Sequence, residues 1–345
     1  MRIGIIGFGK MGMLHAGIVS SIKNTELIAV AEPNLFLTSF LKKLMPSLSI
    51  HTDYKKLLDV ENLDAIFITT PVDSHVPIAL ECAERNIPFF CEKPLTNTLE
   101  SAQSLKKVVE QSGLITMVGY MMRYLDTFSK CKIILSEGIL GNLITFNASI
   151  YVGQLFSEGK GWRYDKGVSG GGVLMNHGTH LIDLLYWYFG KVNRVTGQKI
   201  NWYSKNVEDF IHATIEFSSG LKGWIDASWS KMHHRLVDTK ISIQGENGTL
   251  DITDDDIKLY LENSINSYSK GWNIIRKTDL FSGVEFDLGG PQYTLEDIDF
   301  INAIKTGNNV ESNVKSSLEI HRIINGIYKS DQKKGSSIYL EENIL

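Results

Sequence analysis

The chain has 345 residues, 43% of them hydrophobic and 21% charged, and carries a net charge of -4 with an isoelectric point near 6.2. That balance describes a globular protein with an ample core, and at roughly 150 residues per domain it suggests two domains. Mild acidity without any local run of basic residues excludes a nucleic-acid footprint, and no uncharged apolar stretch of about 18 residues offers a membrane span, so small-molecule chemistry becomes the default.

The first residues, "MRIGIIGFGKMG", enter a strand at once and leave no room for a signal peptide, which predicts a cytoplasmic protein. Cys82, Cys91 and Cys131 are odd in number and lack CxxC spacing, so buried, reduced thiols are expected rather than disulfides or a metal site. Residues 2–7 form a short apolar run, 11–22 read as a helix, and "ELIAVAE" (26–32) as a second strand. "DAIFITTP" (64–71) and "IPFFCEKP" (87–94) repeat the pattern, and "LITMVG" (114–119) closes it. Near-continuous apolar strands separated by helices predict a parallel sheet covered on both faces.

Beyond residue 140 the periodicity changes. "FIHATIEF" (210–217), the turn "SSG", "LKGWIDASW" (221–229) and "VDTKISIQG" (237–245) alternate with period two, as an antiparallel meander with one buried face does. The polar, Gly/Ser/Asn-rich segment 262–292 reads as an insertion or long loop; helices at about 294–307 and 314–332 precede a last strand, "SSIYL".

Between the first strand and first helix stands "GFGKMG", residues Gly7, Phe8, Gly9, Lys10, Met11 and Gly12. Gly7 allows a tight turn, Gly9 lets a pyrophosphate approach the backbone, and Gly12 lets helix and strand pack closely, with the helix N-terminus facing the anion. Glu32 ends the second strand 20 residues after Gly12, where a carboxylate accepts from both ribose hydroxyls and repels the 2′-phosphate of NADP. A Rossmann domain binding NAD in preference to NADP is therefore expected.

The segment "GGGVLMNHGTHLIDLLYWYFG" (170–190) places Asn176, His180 and Asp183 at helical spacing on one stripe, with Gly178, Leu181 and Leu185 on the other side. This predicts a polar stripe on an otherwise buried helix, facing a ligand cleft. Asp183 reads either as the group that orients the His180 ring or as an ordinary satisfied helix carboxylate; His177, about 100° around, reads as a peripheral polar group.

Taken together, "GFGKMGMLH", "TTPVDSH", "CEKP" and "GGGVLMNHGTHLID" resemble, in order and at similar intervals, the signatures of the Gfo/Idh/MocA oxidoreductases. The resemblance covers nearly the whole chain. It implies an α/β protein with an N-terminal doubly wound Rossmann sheet (1–121) and a C-terminal α/β domain (122–345). The second domain's large, open, mostly antiparallel sheet often makes homodimers or homotetramers, and the C-terminal helices are free to pack back on the first domain. It also implies reversible hydride transfer between a nicotinamide and a secondary alcohol of a sugar, sugar nucleotide or cyclitol. An inositol-type dehydrogenase and a non-catalytic dinucleotide sensor are the alternatives.

Residue by residue, Lys93 matches the family's motif lysine, which touches the reacting hydroxyl, and His180 its catalytic histidine. Both fit their chemistry: an ammonium just beyond a parallel strand favours a developing alkoxide, and an imidazole with an ordinary pKa near 6.5 accepts the hydroxyl proton. The family usually has aspartate four residues before the histidine, where this chain has Asn176. An amide cannot hold a proton, so no carboxylate relay runs through that position; it can bind a ring hydroxyl, which with the family variant favours a pyranose, nucleotide-linked ones included, over free inositol.

The resemblance also places Glu92, Thr70, Pro71 and His75 at the cofactor, although a strand-to-helix turn explains the last three residue types nearly as well. Arg163, in "GWRYD", or Tyr164 is a candidate contact for a substrate hydroxyl or phosphate. His15 reads as covering the surface of the first helix. Trp224 and Trp229, read onto successive strands, suit a sheet face or subunit interface. No metal is assigned, because neither His177 with His180 nor His233 with His234 has HExxH spacing and hydride transfer needs none.

Overall fold

The computed structural model describes residues 1–281 and 283–340. Two compact units emerge, Met1–Met121 with Gly283–Leu318, and Met122–Ser282 with Glu319–Leu345.

In the first unit, strands β1 (Arg2–Ile6), β2 (Glu26–Ala31), β3 (Ser49–His51), β4 (Ala65–Ile68), β5 (Phe89–Cys91) and β6 (Thr116–Val118) form one sheet in the order β3-β2-β1-β4-β5-β6. All its pairs are parallel. Burial on both faces explains the apolar runs: Ile3, Ile5, Ile66, Phe67, Phe89 and Phe90 have no exposed surface. Phe67 and Phe90 stack at 5.0 Å, and Phe300, from the helix Pro291–Thr306, meets Phe67 edge-on at 5.4 Å. The strand order reverses direction between β1 and β4, and ligands of open α/β sheets bind beyond the carboxyl ends of strands at such a switch point.

In the second unit, nine strands form a mixed sheet in the order β14-β13-β12-β11-β7-β10-β9-β8-β15. They are β7 (Leu143–Tyr151), β8 (Val192–Ile200), β9 (Phe210–Phe217), β10 (Lys222–Ser228), β11 (Asp238–Gly245), β12 (Gly248–Thr253), β13 (Asp256–Leu261), β14 (Gly271–Arg276) and β15 (Ile338–Tyr339). One cross-strand row, Ala213, Ile225, Ala148, Ile241, Ile252 and Ile257, is buried, whereas outward-facing Trp224 is 49% exposed and Ile274 60%.

Three expectations need correction. The strands β9, β10 and β11 do not run as a meander: β7 lies between β10 and β11, parallel to the first and antiparallel to the second, because its buried Phe146, Ala148 and Ile150 complete the apolar face. Residues 262–292 are not all loop, since β14 pairs with β13 and the helices Lys277–Leu280 and Pro291–Thr306 follow. The alternation of "GWNIIR" was hidden because Gly271 and Asn273 occupy inward positions; the Asn273 amide ties the hairpin by donating to the Ser269 and Leu259 carbonyls and accepting from the Ser269 N–H. Trp224 and Trp229 do not sit on successive strands: the first lies on β10 and the second just past its end, where it is buried and donates Nε1–H to Asp209 at 3.0 Å.

Candidate active site

Backbone geometry explains why glycine stands at Gly7 and Gly12 of the first unit's loop. Gly7 sits at φ +91°, where a side chain is strained, and a Cβ there would lie 2.9 Å from the Thr69 and Thr70 backbone. A Cβ on Gly12 would overlap the Gly7 carbonyl oxygen, so close approach of helix and turn demands glycine. Gly9 has open space where a Cβ would stand, so its backbone can be approached from outside. The helix Lys10–Ser21 starts at Gly9 with no side-chain cap and no acid in its first turn, leaving its N-terminal N–H groups and dipole available to an anion.

Glu32 is drawn to this loop by the chain itself. Its Oε2 accepts from the Phe8 N–H at 2.8 Å and its Oε1 from the Asn34 N–H at 2.9 Å. A carboxylate has roughly four acceptor directions, so two remain for hydroxyls. Thr70 Oγ1, at the end of β4, is buried without a hydrogen-bond partner. An open backbone cradle, an uncapped helix N-terminus, a held carboxylate and an orphaned hydroxyl together fit a dinucleotide. Phe8 is buried, Lys10 and Pro71 are exposed, and Met11 is half-buried. His75 is buried, with Nε2 2.9 Å from the Thr70 carbonyl oxygen and Nδ1 2.9 Å from that of Pro94; any effect on the cofactor runs through the two turns it spans. Burial lowers its pKa against the pull of those carbonyls.

Beyond β5, buried Glu92 turns Oε2 to the Lys93 N–H at 3.0 Å, while Lys93 is half-buried. Glu92 Oε1 lies 3.2 Å from Nε2 of His15, whose Nδ1 faces both carboxylate oxygens of Asp297 at 2.9 and 3.0 Å. His15 therefore does not cover the helix surface: it has no exposed area, and its ring lies 4.9 Å from that of Phe90. Burial alone would lower its pKa, but the two carboxylates outweigh it and hold the pKa well above the ordinary 6.5. Nothing in the sequence signals Asp297, which arrives from the distant helix Pro291–Thr306.

In the second unit, the glycines before the helix meet a buried acid that sequence reasoning missed. Glu208 accepts the Gly172 N–H at 2.9 Å on Oε2 and the Leu174 N–H at 3.0 Å on Oε1, and its own carbonyl accepts the Val173 N–H at 3.0 Å. The Tyr328 hydroxyl donates to Oε1 at 2.8 Å. Three consecutive orphan donors at a helix start are thereby satisfied. A Cβ on Gly172 would overlap the Glu208 backbone, and one on Gly171 would overlap the Tyr328 hydroxyl. Burial raises the Glu208 pKa against these hydrogen bonds. The one signal available was its position in "NVEDF", an acid directly before a buried strand.

The helix is not uniform. Leu174–Gly178 is a π-helical turn that runs into the α-helix Thr179–Phe189. Asn176 and His177 are half-buried, His180 is buried at 6% exposure, and His177 Nε2 lies 3.2 Å from Gln154 Oε1. Asp183 departs from the expected polar stripe: it is wholly buried and takes Arg123 in two hydrogen bonds, 2.8 Å from Nε and 2.6 Å from Nη2. Asp183 is thus a satisfied, buried carboxylate paired with Arg123. Arg163 is exposed, its guanidinium 4.5 Å above the Trp162 ring, and Tyr164 meets the Trp229 ring at 5.4 Å. Among the described residues, no three His, Cys, Asp or Glu side chains gather as a metal site, and no helix is long and apolar enough to cross a membrane.

Comparison with known proteins agrees with this geometry. The model described as "Oxidoreductase family, NAD-binding Rossmann fold" matches residues 1–120, and that of the GFO/IDH/MocA C-terminal domain matches residues 128–251. The rhizopine catabolism protein MocA of Rhizobium meliloti is 25% identical over 67% of this chain and 75% of its own length. The scyllo-inositol 2-dehydrogenase (NAD(+)) of Bacillus subtilis (strain 168) is 26% identical over 72% of this chain and 73% of its own. A levoglucosan dehydrogenase in complex with NADH shares the fold with a TM-score of 0.89 at 21% identity, covering 99% of each chain. The chain is thus a member of the Gfo/Idh/MocA family of NAD-binding oxidoreductases.

Proposed function

We propose that the protein is an NAD-dependent dehydrogenase acting on a secondary alcohol of a sugar or cyclitol. The observation that carries this reading is the first unit's glycine loop, open at Gly9 and joined to Glu32, in the same unit as Lys93. Gly7 to Gly12, Thr70, Pro71, His75, Glu92 and Lys93 would hold the dinucleotide, with Glu32 accepting from ribose hydroxyls and rejecting a 2′-phosphate. When bound, NAD supplies the acceptor for the hydride. Lys93 lends its ammonium to the alcohol oxygen as negative charge grows there, and His180 receives the hydroxyl proton. Asn176 can orient a ring hydroxyl but not carry a proton, which supports a pyranose, free or nucleotide-linked; Arg163 is the candidate partner for a phosphate or hydroxyl.

The outer face of the nine-stranded sheet, with Trp224, Trp272 and Ile274 exposed by 49%, 59% and 60%, suits self-association as a homodimer or homotetramer. Three buried free cysteines support a cytoplasmic location. The test is to follow NADH formation by wild type, Lys93→Met and His180→Ala over free hexoses, anhydro sugars, inositols and sugar nucleotides. Turnover on at least one class, lowered roughly 10²-fold or more in each variant, is expected. Tight NAD binding with no turnover anywhere would point to a dinucleotide sensor instead.

A further inference from the structure

Buried His15 and Asp297 have no role in the chemistry above, yet with Glu92 they unite three elements of the first unit: the helix that begins at the glycine loop, the exit of β5 and the helix Pro291–Thr306. We propose that His15 is the positioning residue for Lys93: bridging Asp297 and Glu92, it pins the carboxylate that receives the Lys93 N–H and so fixes where the lysine stands. This rests on the reading of Lys93 as the group at the reacting alcohol.

The energetics argue that packing alone does not account for the cluster. His15 lies among Phe67 and Phe90, where an apolar side chain of similar volume would fit, and exchanging a buried ionic group for well-packed hydrophobic residues is often neutral or stabilising. What the imidazole adds is direction. Its two ring nitrogens face opposite carboxylates, so Glu92 Oε1 is held toward the helix and Oε2 is left toward the Lys93 amide. Burial opposes the Glu92 charge, but His15 and Lys93 outweigh it and hold its pKa below the ordinary value. Titratable groups that face the bridge include Asp297 and Glu92 at the ring, and Lys93, His75, Cys91 and Tyr293 around Glu92.

The experiment compares His15→Asn and Asp297→Asn in the wild type and in the Lys93→Met background, measuring kcat, KM for the alcohol and NAD affinity by protein-fluorescence quenching. Each substitution is expected to lower kcat about tenfold or more, since a small misplacement of a reacting group costs on this scale, while NAD affinity changes less than about threefold. With Met at position 93 the same substitutions should leave the residual kcat unchanged. Wild-type kcat in both variants, or equal losses in the two backgrounds, would overturn the proposal. Undiminished turnover in Lys93→Met alone would instead sink the reading of Lys93, and the inference with it. Should the variants not fold, histidine-selective nitrogen NMR of the wild type decides: His15 should keep both protons well above pH 6.5, and a neutral ring at neutral pH would contradict the bridge.

Discussion

Arg123 clasps Asp183 through two hydrogen bonds of 2.8 and 2.6 Å, with both side chains almost wholly buried. The pair ties the helix Thr179–Phe189 to Arg123 within the second unit, and the guanidinium also lies 5.4 Å from the Trp187 ring. Removing one partner strands the other charge in the interior. Arg123→Leu should lower unfolding free energy by about 3–5 kcal/mol, as broken buried pairs do. Chemical denaturation checks this, and a loss within experimental error would show that the pair is solvated and unimportant.

The proposed function assigns the cofactor preference to Glu32. Glu32→Gln keeps a hydrogen-bonding side chain but removes the charge that repels a 2′-phosphate, so NAD should bind several-fold more weakly and NADP relatively better. Titrating both dinucleotides by fluorescence quenching gives the ratio. An unchanged NAD/NADP ratio would mean that the discrimination lies elsewhere.

Glu208 accepts from two N–H groups and a tyrosine hydroxyl in a buried setting. Glu208→Ala leaves all three without a partner, each costing about 1–3 kcal/mol. A fall in Tm is expected, smaller for Glu208→Gln, which retains one acceptor oxygen. Gly172→Ala should also destabilise, because its Cβ meets the Glu208 backbone. Equal Tm values for Glu208→Ala and wild type would remove the capping role.

Asp254 gives a pH-dependent prediction. Burial, then the neighbouring Asp255 and Asp238, push its pKa up to about 7 from an ordinary 3.8, against Lys277. Between those two values the folded chain keeps a proton that the unfolded chain has lost, so this group's contribution to stability falls as pH rises through the window, at up to about 1.4 kcal/mol per unit, and is flat above it. Asp254→Asn removes the penalty. Its Tm should exceed that of wild type at pH 8, and the gap should close toward pH 4; a pH-independent gap would contradict the shifted titration.

Much of this was legible in the sequence because local rules act there. Gly7, Gly9 and Gly12 belong to one strand–turn–helix unit and Glu32 directly follows the next strand, so their spacing carries their geometry. The apolar runs of β1, β2, β4 and β5 announce a sheet buried on both faces. What stayed hidden depends on partners far along the chain. His15 looks like a helix-surface residue until Asp297, 282 positions away, meets it, and nothing near Asp183 in the sequence signals its partner Arg123. The alternation of β14 is masked by Asn273, whose amide serves the hairpin rather than the core. The place of β7 between β10 and β11 is a matter of topology, which period-two alternation cannot encode.

The proposed reaction moves a hydride from an alcohol carbon to NAD. Its most direct test uses a sugar or cyclitol turned over in the substrate panel, deuterated at its carbinol carbons, with mass spectrometry of the reduced cofactor. One deuterium per NADH, absent when the label sits only on the hydroxyls, is the predicted result. Unlabelled NADH from the carbon-deuterated substrate, or no NADH from any sugar or cyclitol while NAD binds normally, would contradict it.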